Sequence, residues 1–224
     1  MKTAKRNLAI RAGKIIQKLR RAHPDARCAL RHENPLQLLV STILSAQCTD
    51  KRVNMVTPAL FKKFRTAADF AAAAPGELET MIHSTGFFRN KARSIRNCCR
   101  AIVERHGGHV PDTLEELLQL DGIGRKTANV VLGAAYGKAE GVVVDTHVAR
   151  LSRRMGLTRQ RTPEKIEQAL MKIVPRADWI DLSHLLIWHG RNRCIARKPD
   201  CIRCEVAKLC PKVGIPRMNA NERR

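Results

Sequence analysis

Four cysteines fall within 17 residues near the end of the chain, Cys194, Cys201, Cys204 and Cys210, spaced C-x6-C-x2-C-x5-C. This is the tightest constraint in the sequence, because four thiolates so placed can wrap one metal centre, and the surrounding chain must then converge on it. The other four cysteines, Cys28, Cys48, Cys98 and Cys99, are scattered. An extracellular disulfide framework would spread its cysteines more evenly, and the N-terminus shows no apolar signal-peptide core. In a reducing cell the terminal group reads as a metal site and the scattered four as small buried apolar residues. Structural zinc usually takes two C-x2-C knuckles separated by a longer gap, whereas this pattern has one. A [4Fe–4S] cluster takes one thiolate per iron and tolerates uneven spacing, so the pattern favours iron–sulfur over zinc. Arg197 and Lys198 lie between the first two ligands, where the centre would brace a basic loop.

Apolar residues recur at helical spacing along nearly the whole chain. Helices are expected at 36–46, 51–64, 66–74, 77–83, 91–106, 113–119, 125–136, 145–154, 163–174 and 181–190, punctuated by Pro75–Gly76, Gly86 and Gly107–Gly108. Only 142–144 reads as strand, and three residues cannot build a sheet, so the expected fold is all-α. Residues 1–27 are rich in Lys and Arg. They fit an amphipathic helix through Leu8, Ile10, Ile15, Ile16 and Leu19 better than an Arg-rich transit peptide, which would show Ser enrichment. No apolar run approaches the roughly 18 residues of a membrane span. Lys and Arg number 42 against 20 acids, a net charge of +22, and so large an excess points first to a nucleic-acid partner. A ribosomal or membrane-surface protein would share that charge.

Two further segments carry chemistry. In Leu117-Leu118-Gln119-Leu120-Asp121-Gly122-Ile123-Gly124-Arg125-Lys126-Thr127-Ala128, two glycines one residue apart make a turn too tight for side chains. Its N–H groups and the start of the next helix form an anion site that grips a phosphate without reading bases. Lys126 stands in the first turn of that helix beside Arg125. The helix dipole and the guanidinium both disfavour an ammonium there, which suits an amine nucleophile, although the position taken by itself favours a phosphate-binding lysine. The second segment is Val142-Val143-Val144-Asp145-Thr146-His147-Val148. Asp145 before a helical stretch is an N-cap on base rates, and facing a basic surface it would also stabilise a developing cation or take a proton. His147 suits a hydrogen-bonding role.

Taken in order, these three segments resemble the endonuclease III family of helix-hairpin-helix DNA glycosylases, and the likeness extends through Leu44-Ser45-Ala46-Gln47-Cys48-Thr49-Asp50 to cover nearly the whole chain. The resemblance implies a six-helix domain over 28–138 and a cluster domain built from 1–27 and 139–224, with DNA held between them. It implies Lys126 as the nucleophile, Asp145 as its carboxylate partner and the cysteine quartet as ligands of a structural [4Fe–4S] cluster. Gln47 takes the position of the side chain that fills the gap left by a flipped nucleotide, and Phe87 that of the wedge beside the opposite strand. Gly122, Gly124, Arg125, His147, Arg197 and Lys198 complete the implied DNA-binding set. Phe87 departs from the Leu common in the family, and Asp121 stands where Pro is usual, an acid close to a phosphate. The implied activity is removal of oxidised pyrimidines from double-stranded DNA through a Schiff base on Lys126, followed by β-elimination, by a monomer in the cytoplasm at the nucleoid. An adenine or mismatch glycosylase of the same superfamily is disfavoured because Lys126 is present, and a non-catalytic DNA-binding scaffold because Lys126 and Asp145 occur together.

Overall fold

The computed structural model describes residues 2–215, which contain helices, short 3-10 turns and no strand. Two compact units divide them, one holding the residues up to Arg27 and from Gly141 onward, the other Cys28–Glu140.

The first unit begins with helix α1, Lys2–Ala22, whose apolar stripe Ala12, Ile15, Ile16 and Leu19 is fully buried. Burial of each such aliphatic side chain is worth roughly 1.5–3 kcal/mol. The second unit holds α2 (Pro35–Leu44), α3 (Asp50–Lys63), α4 (Ala67–Ala72), α5 (Pro75–Ile82), α6 (Phe88–His106), α7 (Leu114–Leu118) and α8 (Arg125–Tyr136). The first unit is completed by α9 (Thr146–Arg154), α10 (Pro163–Met171) and α11 (Trp179–Asn192).

Local chemistry starts these helices. Asn34 caps α2 through Gln37 N with Pro35 in the first position, Thr49 caps α3, and Thr66 with Asp69 forms a reciprocal capping box on α4. Helix α6 forms the spine of the second unit, with Ala92, Ile95, Cys98, Cys99 and Ile102 buried against α4 and α5, while α2 packs on α8. Cys98 and Cys99 are therefore the buried apolar residues expected of them, and burial pushes the Cys98 thiol up to about 12. Cys28 and Cys48 are only half-buried.

In the first unit, Arg11 ties α1 to both later parts of the chain. Its guanidinium donates to Met155 O at 2.6 Å, Leu209 O at 2.9 Å and Gly156 O at 2.7 Å. Gly156 (φ 61) meets Pro211 so closely that an added Cβ would lie 2.8 Å from its Cγ. Residues 142–144 are extended but unpaired as a strand: Val142 and Val144 enter the core, and Val143 N donates to Ser183 Oγ at 3.0 Å.

Candidate nucleic-acid interface and metal centre

In the second unit, the turn between α7 and α8 is the Gly122-Ile123-Gly124 segment. Ile123 is buried and anchors it, and Gly122 takes φ 74, the left-handed region that glycine enters without penalty. A Cβ on Gly122 would also sit 3.2 Å from both Cβ and Oγ of Ser94 on α6. Gly124 is different. Its backbone is ordinary and extended, and a Cβ there would meet nothing within 4 Å. Gly124 caps α8 without a side-chain hydrogen bond, and the positive end of the helix dipole lies at this turn. Arg125 and Lys126 follow as its first two residues, both exposed. Asp121, the acid beside this anion seat, is not loose: one of its carboxylate oxygens accepts from Asn97 Nδ2 on α6 at 2.9 Å.

The same unit brings Gln47, Phe87 and Gly122 to the wall of one pocket, together with Asn90, Lys91 and Ser94. Helix α2 ends at Leu44, two residues sooner than its apolar run suggests, and the turn after it places Gln47 at φ 52. Phe87 stands at φ 48 just before α6 and is 62% exposed. Non-glycine residues rarely adopt this conformation, and both of these project into solvent from the tips of short turns.

In the first unit, Asp145 is the N-cap of α9, accepting from Val148 N at 2.8 Å. His147 is half-buried where α9 crosses α11 at Gly190. A Cβ on Gly190 would come within 2.8 Å of His147 Nδ1 and 3.1 Å of Arg150 Nη2. That close approach lets Arg150 donate to the carbonyls of Gly190 and Cys194, both at 3.0 Å. Burial lowers the His147 pKa, with Asp145 opposing and Arg150 and Arg191 adding to the fall.

Cys194, Cys201, Cys204 and Cys210 line one cavity with Met155, His189, Pro199 and Val206. None is in a disulfide. Among the described residues, the ligand atoms of His23, His189 and Glu205 lie within 4.8 Å of one another. Four free thiols around one cavity are the donor set taken by a group that offers each thiolate its own corner.

The second layer suits thiolates. Arg154 Nη1 lies 3.5 Å from Cys194 Sγ, Lys212 N donates to Cys210 Sγ at 3.4 Å, and His189 Nε2 stands 3.5 Å from Cys204 Sγ. The other ring nitrogen of His189 is 3.1 Å from His23 Nε2, so a proton donated by His23 would leave His189 Nε2–H pointing at the sulfur. Burial pushes the Cys204 thiol up to about 11 and raises Cys201 and Cys210, so adjacent thiolates there need cationic charge among them. Arg154 also donates to Ile195 O at 2.8 Å and Ala196 O at 2.5 Å, pinning the backbone just before the exposed Arg197 and Lys198. Residue-type patterns did not single out Arg11, Asn97, Arg150, Arg154, His189 or Gly190.

Residues 40–176 match the model of the HhH-GPD superfamily base excision DNA repair proteins. The chain is 55% identical to the endonuclease III of Synechocystis sp. over 201 residues, 90% of this chain and 92% of that protein. It is 39% identical to the endonuclease III of Escherichia coli (strain K12), covering 88% and 92%. Among solved structures, a trapped endonuclease III–DNA covalent intermediate, an estranged-adenine complex, superposes with a TM-score of 0.85 at 42% identity, covering 91% of this chain and 96% of that one. A thermostable thymine-DNA glycosylase shares the fold at a TM-score of 0.80 and 22% identity. No described helix is long and apolar enough to cross a membrane. The chain therefore belongs to the endonuclease III family of the HhH-GPD base excision repair superfamily.

Proposed function

We propose that Lys126 is the nucleophile by which this protein excises oxidised pyrimidines from double-stranded DNA. Base excision by a DNA glycosylase with AP lyase activity is the work of the family and of this chain. The observation that carries the assignment to Lys126 is its exposed place in the first turn of α8, directly after the Gly122-Ile123-Gly124 turn. The turn and the opening N–H groups of α8 seat a phosphate, and the amine then stands one residue from the gripped backbone. Gly124 leaves the space that a phosphate fills.

The damaged nucleotide must leave the stack before its C1′ can be reached, and a ring-saturated base costs less to unstack. Gln47 enters the gap and Phe87 parts the opposite strand. The neutral amine of Lys126 attacks C1′, the C1′–N bond to the base breaks, and the base departs with the bonding electrons. Asp145, with one oxygen spent on Val148 N, stabilises positive charge on the sugar and accepts the proton from the lysine nitrogen. Opening of the sugar ring gives the Schiff base. Loss of a C2′ proton then expels the 3′ phosphate and cuts the strand, and water releases the lysine.

Residues 28–138 make the hairpin-bearing domain in this reading, and 1–27 with 139–224 the cluster domain. Cys194, Cys201, Cys204 and Cys210 would hold a [4Fe–4S] cluster, which when bound supplies a structural knot and no bond breaking. Arg125, His147, Arg197 and Lys198 extend the grip on phosphates. The protein acts as a monomer in the cytoplasm, at the nucleoid.

Sodium borohydride reduction on a thymine-glycol or abasic duplex tests the central claim. A covalent protein–DNA adduct is expected from the intact protein, and it vanishes in Lys126→Gln while DNA binding persists. Failure of the intact protein to form an adduct, or an adduct undiminished in Lys126→Gln, overturns it.

A further inference from the structure

Lys91 is a buried lysine, 5% exposed, in the first turn of α6. An ammonium placed there must find oxygen acceptors, because an unpaired buried charge is strongly unfavourable. It finds two: Nζ donates to Leu44 O and to Thr85 O, each at 2.8 Å. Leu44 is the last residue of α2, so its carbonyl has no partner within the helix and carries the negative end of the dipole. Thr85 closes the 3-10 turn His83–Thr85 and is itself buried. One ammonium therefore fastens the ends of two separate elements.

Just beyond each of those carbonyls the backbone turns left-handed. Three residues after Leu44 comes Gln47 at φ 52, and two after Thr85 comes Phe87 at φ 48. Apart from these two, the only described non-glycine residue with positive φ is Lys212, in the other unit. Strained conformations persist only where the surroundings over-determine them. The hydroxyls reinforce the pattern, with Thr85 Oγ1 donating to Ile82 O and Ser45 Oγ to Thr42 O, both at 2.8 Å. The carbonyl of Phe87 in turn accepts from the backbone N–H of Lys91 at 3.0 Å.

Resting on the insertion roles given above to Gln47 and Phe87, we propose that Lys91 is a positioning residue that holds both side chains ready to enter the duplex, making the gap-filler and the wedge one device. Lys91 touches no reacting atom. By fixing the two turns to one point, it lowers the ordering cost of inserting both side chains at once, a cost otherwise met at the moment a nucleotide is turned out.

The test separates flipping from chemistry. Lys91→Met keeps an unbranched side chain one atom shorter and removes its donors. With cluster absorbance and melting profile recorded as controls, it is expected to slow single-turnover base release from a thymine-glycol duplex at least tenfold. Borohydride trapping on a single-stranded abasic oligonucleotide, which needs no flipping, should stay within twofold of the intact protein. The double variant Gln47→Ala/Phe87→Ala should slow the duplex reaction similarly, and adding Lys91→Met to it should cost no more than a further twofold. If Lys91→Met does not fold, Lys91→Gln, which retains a single amide donor group, carries the same comparison. Multiplicative losses, or an equal fall in single-strand trapping, overturn the positioning role. So does a Lys91 variant at full speed when the double variant is slow. A double variant that is itself at full speed instead removes the insertion roles of Gln47 and Phe87, a different and recognisable failure.

Discussion

Replacing each glycine of the hairpin by alanine separates two reasons for a glycine in that turn. At Gly122 the reason is internal: φ is 74, and the new Cβ would press on Ser94 at 3.2 Å. The left-handed backbone costs an alanine about 1–2 kcal/mol, and the restricted unfolded chain returns about 0.4–1 kcal/mol. Crowding against Ser94 removes much of that return, so the net loss is on the order of 1–2 kcal/mol, a fall of about 2–8 °C in melting temperature for a chain of this length. At Gly124 the conformation is unstrained and the Cβ meets nothing, so the fold is indifferent. Alanine is a poorer N-cap than glycine by some tenths of a kcal/mol, an amount the unfolded-state term offsets, leaving stability within about 0.5 kcal/mol. On the proposed function, the new methyl instead stands beside the phosphate seated at the start of α8 and crowds it. Releasing one phosphate makes the log–log salt dependence of binding shallower by about 1. Thermal melting together with fluorescence anisotropy on an abasic-analogue duplex across a salt series reads both quantities. Gly124→Ala that melts like Gly122→Ala, or that binds DNA with the unaltered affinity and salt slope, would refute the reasoning.

Serine at Cys204 should remove the broad visible absorbance of the purified protein and lower its iron and sulfide together; zinc without sulfide in the intact protein would contradict the cluster. Arg154→Met frees the backbone of Ile195 and Ala196, so both DNA affinity and resistance of this segment to protease are expected to fall, and a variant unchanged in both would show that the loop is braced elsewhere. Charge reversal at Arg197 and Lys198 should reduce the salt slope by about 1 for each phosphate no longer gripped, while leaving single-strand trapping intact. Burial holds His184 below its ordinary 6.5, with Asp181 opposing. The unfolded chain then takes up more protons than the folded protein as pH falls through 6.5, so acidification destabilises it, and His184→Gln should flatten that loss. Urea midpoints whose pH dependence is the same with and without His184 would sink this account.

Helical periodicity, the cap at Asp145 and the glycine turn were legible in the chain, because each is set by neighbours within one or two turns. Asp145 before Thr146 and Gly122 before Ile123 carry their instructions locally, whereas the caps Asn34 and Thr66 emerged only with the structure. Element ends were less legible. Helix α6 starts at Phe88, three residues before the expected 91, because Phe87 turns left-handed, and α11 runs Trp179–Asn192 where 181–190 was expected. Asp121 looked like an acid opposing phosphate; only the packing of α6 on the hairpin shows that Asn97 takes up one of its oxygens.

Lys91 marks the limit most sharply. In the sequence it is one of 42 basic residues, with nothing in its spacing to separate it from the solvated ones. It acquires meaning through carbonyls 47 and 6 residues away. Arg11 similarly reaches partners 144 and 198 residues distant. By itself the sequence determined the helical class, the glycine turn with its lysine, and the four clustered cysteines, since residue type and short spacing decide these. Tertiary structure alone decided which charges are buried, which carbonyls they bind, that the four thiols line one cavity, and that Gln47 and Phe87 adopt positive φ. Those depend on which distant backbone oxygens and side chains packing brings within about 3 Å, and no local pattern encodes that.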